Sequence, residues 1–551
     1  MALYEMRRDS EAFNAINHAL EMERGDLSVY TLKMRILIRN DVWEEVDDIL
    51  EFLRRNRVGD ALPVRWCDAQ VAELRDKDNE KALSIYREIA DRLESGEDMS
   101  LAAKVYFKLC TLDSGMNDLS SQENRDKLFA LLEKGLRYDE DDADCLDFKA
   151  WLLKRCRKNA DALQIYHKLE AMPGHSLRVE LNLADLYYKD LTVYARKSLH
   201  YYQILIERNE RAEYHFYAGN CCRYLQQFDQ AIYHFKRELE LDDEDSDACN
   251  GLAYVYEALA RFEEALEQIN AAIAMTEDRE GEYIYLYEHK VQILRRLCRP
   301  QEAVDTVNAC RAKYSNYDGG YEMCFSIYCQ FGLWDHAKKC LKQWQDASGM
   351  NSRIADSITR LQIYSRHSVA ANLARKNYGQ NLNKEDAEEL DLLFAQLKGD
   401  IDYQIKHWTK KLEGNGSDIS RYYMNLARVQ WHAFENKTDA VRNAQKAIQL
   451  IDKELEKDTL FKTLYYSRKA LMLAILGREA EARDLLSQVR SMPLCRGCEY
   501  GSCKDADIFE AEMEAILGNY AEAAKLCKLG QQKWPDETDF RITEYHLKGK
   551  K

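Results

Sequence analysis

Proline is nearly missing from this chain: 5 among 551 residues, beside only 23 glycines. Sheets joined by tight turns draw on both residues at almost every corner. So thin a supply argues against a β architecture, while plentiful Ala, Leu, Glu, Lys and Arg favour helix. The expected fold class is all-α. Missing too is any apolar run near the roughly 18 residues that span a bilayer. The opening MALYEMRRDSEAF lacks the apolar core of a signal peptide. The expectation is a soluble, cytoplasmic protein without membrane contact. Short motifs of chemistry are absent as well: no glycine-rich phosphate loop, no H-E-x-x-H, no G-x-S-x-G and no kinase signature. The 12 histidines are dispersed, and each reads as a surface or half-buried ring before it reads as a general base. The chain is therefore not expected to be an enzyme or to take a small-molecule substrate.

What is present is charge and a period. Charged residues make up 32% and hydrophobic ones 46%, with a formal net charge of -16. Net negative charge opposes a phosphate backbone, so nucleic acid is not an expected partner. The 16 cysteines fall mostly one to a helix, in slots where Ala or Leu would also fit. They read as small buried thiols in a reducing compartment, not as a disulfide framework. The exception is the loop at 495–503, where Cys495, Cys498 and Cys503 form a C-x2-C-x4-C cluster with two glycines. Zinc in a structural site wants four such ligands, and Cys527 is the candidate for the fourth. Two readings stand open: a structural zinc that fastens the C-terminal helices, or loop thiols that merely oxidise. No other cofactor is implied.

The period is clearest over 212–279, two 34-residue stretches laid end to end. Gly219, Phe228, Ala231 and Phe235 fall at internal positions 8, 17, 20 and 24 of the first, and Ala253, Phe262, Ala265 and Ile269 repeat them in the second. Each stretch carries two amphipathic segments too short to be stable alone, which must pack on each other and on the next pair. A small residue is needed where the two cross, hence Ala231 and Ala265. Such units resemble tetratricopeptide repeats. The resemblance covers nearly the whole chain, roughly fourteen units, and implies a right-handed superhelical solenoid of helix-turn-helix repeats.

Ala12, Ile16 and Ala19 read as positions 20, 24 and 27, so the chain is expected to open inside a repeat. A first array is expected over 1–351, an irregular helical hinge over 352–384, a second array over 385–537 and a polar, solvated tail over 538–551. The resemblance implies a non-catalytic interaction scaffold whose first helices line a concave groove for an extended peptide or a partner protein. Positions 12 and 13 of those helices are basic for so acidic a chain: Arg39, Arg75, Lys154, Arg155, Lys189, Arg223, Arg295 and Arg296. Asn182, Asn220 and Asn250 stand where amides in similar grooves hold a peptide backbone. Together they imply an acidic extended ligand met by bidentate arginines. A cation near a helix C-terminus is also favoured for its own sake. The family's clamp for chaperone C-termini is not reproduced in order. Two alternatives remain: an auxiliary subunit that wraps a small catalytic partner, as in the N-terminal acetyltransferases, or the arm of a longer multidomain co-chaperone or enzyme.

Overall fold

The computed structural model describes residues 9–549 apart from 23–25, 95–100, 114–117, 280, 315–318, 415–417, 434–436, 457–461 and 493–502. These residues divide into two units, Met1–Leu186 and Tyr187–Lys551. The division falls inside the helix Leu177–Tyr188, not near the expected boundary at 351. No helix among the described residues is long and apolar enough to cross a membrane.

In the second unit, the pairs Ala212–Tyr224 with Phe228–Leu241, Ser246–Ala258 with Phe262–Met275, Ile284–Arg296 with Pro300–Lys313, and Gly320–Gln330 with Trp334–Ser348 follow one another. Every link is three residues long, and its middle residue has positive φ: Gln226 at 58°, Ala260 at 58°, Cys298 at 57° and Gly332 at 67°. The third link residue donates its N–H back into the finished helix, Gln227 to Cys222 at 2.8 Å and Arg261 to Tyr256 at 2.8 Å. One left-handed residue thus ends the first helix, satisfies an orphan carbonyl and reverses the chain. At the crossings Ala231, Ala265, Ala303 and Ala337 are fully buried. Phe235 fills the space between successive first helices, and this is why glycine stands at 219 and 251. A Cβ at Gly219 would lie 2.9 Å from the Phe235 ring, and one at Gly251 only 2.5 Å.

The stretch expected to be an irregular hinge is a further pair of the same kind. Helices Ser352–Tyr364 and Ser368–Tyr378 are joined through Arg366 at φ 64°, with His367 N–H donating to the Gln362 carbonyl at 2.8 Å. Its small crossing residue is Ala371, fully buried, 34 positions after Ala337.

The tail also departs from expectation. Residues Asp539–His546 form a helix in which Phe540, at 1% exposure, joins the core of Ala440, Leu471, Phe509 and Trp534. The polar count of the tail hid one aromatic anchor, and the anchor decides where the segment goes. In the first unit, Trp66, Tyr86, Val105 and Tyr106 centre a continuous core; the Tyr86 hydroxyl donates to Glu73 at 2.9 Å.

Candidate functional site

The first helices of the second unit carry a strip of polar and aromatic side chains that touch from one pair to the next. Asn220, mostly buried, donates to the Phe216 carbonyl at 3.2 Å and accepts from Arg223 at 3.3 Å. The Arg223 guanidinium lies between two rings, 5.1 Å from Tyr224 and 5.2 Å from Tyr254. Tyr254 stacks on His289 at 3.8 Å and 17°. His289 Nδ1 is 2.6 Å from Asn250 Oδ1, and its Nε2 is 2.7 Å from Glu257 Oε2. Glu257 in turn faces Arg296 Nε at 3.4 Å, and Arg295 donates to Gln330. Glu257, His289, Arg296 and Gln330 are almost wholly buried, while Arg223, Asn250 and Tyr254 keep a half-exposed face.

Burial costs a charge dearly unless it is paired, so Glu257 and Arg296 hold each other beneath the strip. Arg296 is therefore not a solvent-facing cation of the groove. Its partner Glu257, and His289, Tyr254 and Gln330 elsewhere in the strip, escaped the sequence reading, which looked for cations and amides. The signal for them was a polar residue on the face that otherwise carries the core.

The remaining candidates are spread out. In the first unit, Arg75 pairs with Asp47 at 2.7 Å and Asp76 at 2.8 Å. Lys154 meets Asp185 at 3.1 Å and Asn182 at 3.0 Å, and Asn182 donates to the Arg178 carbonyl at 2.9 Å. Arg155 lies over Trp151, 5.5 Å from the ring centre. Arg39 is exposed at the end of its helix, as is Lys189 in the second unit. Arg75 and Lys154, like Arg296, thus have their charge answered by carboxylates of the chain itself.

Cys495 and Cys498 lie outside the described residues. Cys503 packs with Val489, Ala506 and Tyr466, whereas Cys527, fully buried, belongs to the cluster around Trp534 and Phe540. Burial, with Glu544 and Glu512 adding, pushes the Cys527 thiol up to about 12. Its surroundings are those of a packing residue. Among the described residues no three His, Cys, Asp or Glu side chains are grouped to hold a metal.

No family model matches the chain. The Hsp70-Hsp90 organizing protein of Triticum aestivum is 24% identical over 239 residues, 42% of this chain and 34% of that protein. The chain thus spans about a third of that relative's length. Among solved structures, a tetratricopeptide repeat protein from Parabacteroides merdae superposes with a TM-score of 0.35 at 17% identity, over 47% of this chain and 99% of its own. The APC/C hetero-tetramer Cut9-Hcn1 gives a TM-score of 0.41 at 10% identity, over 99% of this chain and 95% of that one. With paired helices, a 34-residue spacing that recurs, and, from Ala212 to Tyr378, a buried alanine at the crossing and one left-handed residue at the link of every pair, the fold is an array of helix-turn-helix repeats of the tetratricopeptide type.

Proposed function

We propose that the protein is a non-catalytic interaction scaffold that holds an extended, acidic segment of a partner protein along the strip from Asn220 to Gln330. The observation that carries this reading is the stack of half-exposed Arg223 and Tyr254 on buried His289, pinned from behind by Asn250, Glu257 and Arg296. A guanidinium already held between two rings loses little freedom on meeting a carboxylate, and its fork suits bidentate contact. The half-exposed Asn250 beside it offers its amide NH2 to a passing peptide backbone. A relative named for organizing Hsp70 and Hsp90 is in keeping with an interaction role.

The test compares what the wild-type chain and two variants retain from a source-cell lysate. Arg223→Glu with Tyr254→Ala should lose a set of partners that Arg39→Glu, at an exposed helix end, retains. Adding salt should weaken the same set, because an exposed charge contact is screened. If the double variant keeps its helical content and every partner, the strip is not the working surface.

A further inference from the structure

A second surface of the unit Tyr187–Lys551 is already occupied, by the chain's own end. The helix Asp539–His546 is eight residues long, too short to persist without a support, and its support comes from residues far away in sequence. Arg541 donates to the Ile363 carbonyl at 2.7 Å. The ring of Tyr545 covers Gly399 so closely that a Cβ there would meet Cε1 at 2.2 Å. His546 stacks on His432 at 3.9 Å and 7°, and Phe540 rests on Gly530. Two acidic side chains of the segment meet basic ones, Asp539 with Arg428 at 3.0 Å and Glu537 with Lys504 at 3.2 Å.

The seat is larger than its occupant. Beside the helix remains a cavity of about 260 Å³ lined by Ile363, Ala371, Phe394, Leu397 and Lys398 on the side of the seat. Next to it, on the helix Ser368–Tyr378, Val369 and Leu373 are 82% and 56% exposed. The cavity is a cleft partly open to solvent, with Arg541, Glu544 and Tyr545 of the helix on its other side. A longer helix with an apolar side chain for that volume would fit better than the one present.

We propose that this seat is a docking site for an acidic amphipathic helix of a partner protein, which displaces Asp539–His546. The partner helix presents an aromatic residue to Gly530, carboxylates to Arg428 and Lys504, and a bulky apolar side chain to the cavity at Phe394 and Leu397. Until it arrives, the chain's own helix keeps the seat filled at the high effective concentration that a short connection gives. The segment leading into this helix passes the far end of the strip, Pro535 lying 3.5 Å from where a Cβ at Gly332 would stand, and the test uses none of the strip's residues.

The probe is a labelled peptide of residues 534–546, WPDETDFRITEYH, added to the full chain and to Phe540→Asp, which frees the seat while leaving its residues untouched. Fluorescence anisotropy should show at least tenfold tighter binding to Phe540→Asp than to the wild type. Adding Lys504→Glu should weaken it again, and a peptide that itself carries F540D should not bind. Circular dichroism checks that the variant stays folded. If it does not, Arg541→Ala with Tyr545→Ala frees the helix more gently, and the same tenfold difference is required. Equal binding to wild type and variant, or none to a folded variant, overturns the proposal. A concentration-dependent dimer of the wild type that Phe540→Asp abolishes assigns the seat to a second copy and overturns it too.

Discussion

Glu238 shows how a single residue can carry a pH dependence. It is fully buried, and the carboxylates of Asp245, Asp247 and Asp242 face it. Burial, with Asp245 and its acidic neighbours adding, pushes its pKa up to about 10. A carboxyl whose folded pKa lies above its unfolded one holds a proton that the unfolded chain has already lost. Its contribution to stability is complete below the ordinary carboxylate range and is lost as pH rises towards about 10. Glu238→Gln, uncharged at every pH, should therefore melt higher than the wild type, with a gain that grows from pH 7 to pH 9 and reaches about 1–3 kcal/mol. The series belongs above neutrality because His234 slopes the other way. Burial and the neighbouring His215 hold it down to about 4, so it costs stability as pH falls below its ordinary value. Thermal melts that show the same difference at both ends of the range would sink the account. Nothing in the sequence singled Glu238 out, since a lone Glu among helix-surface charges looks solvated until the neighbouring helix covers it.

At the scale of the element, the links between paired helices lend themselves to a paired test. The same left-handed conformation is held by Ala260 and by Gly332. A Cβ in that conformation costs roughly 1 kcal/mol, which glycine does not incur. Ala260→Gly should thus be neutral to stabilising by up to about 0.5 kcal/mol, the relief being offset by a freer unfolded chain. Gly332→Ala should destabilise by about 1 kcal/mol, although an added Cβ meets nothing closer than Pro535 at 3.5 Å. Denaturant midpoints decide it, and a loss at both sites would mean that the link is not what sets the cost. The links also explain what was legible. Where small residues recur at Ala231, Ala265, Ala303 and Ala337, period alone located the helix pairs. Ala371 stands in the same series, but its first helix lacks the aromatic and glycine marks of 212–279, so the sequence alone reads as a hinge there. In the tail the misreading had another cause. Composition averaged over 538–551 is polar, whereas docking depends on Phe540 alone and on a glycine at 530 that leaves room for its ring. At the strip, Arg223, Asn220 and Asn250 stood out as cation and amides. Glu257 and His289 did not, because their role is to face one another across two helices, and that proximity exists only once the pairs have stacked.

For the molecule as a whole, a repeat array distributes stability through neighbour contacts and not through one common core. The core around Tyr86 in the first unit and the core around Leu471 and Phe509 in the second have no residue in common. Tyr86 is fully buried, tilts against Trp66 at 5.2 Å and donates to Glu73. Truncating it removes packing and leaves the half-buried Glu73 carboxylate to Lys108 alone, a loss of about 3–5 kcal/mol. If stability is local, Tyr86→Ala should speed amide exchange in Leu62–Gln70, Asn79–Glu94 and Ala102–Leu112 and leave the amides of Lys462–Ile475 and Lys504–Leu517 at their wild-type rates. A chain that unfolds as one cooperative body would instead show the same acceleration in both sets. Hydrogen exchange read by mass spectrometry separates the two outcomes. Local stability would also let the helix Asp539–His546 leave its seat while Arg223, Tyr254 and His289 stay stacked.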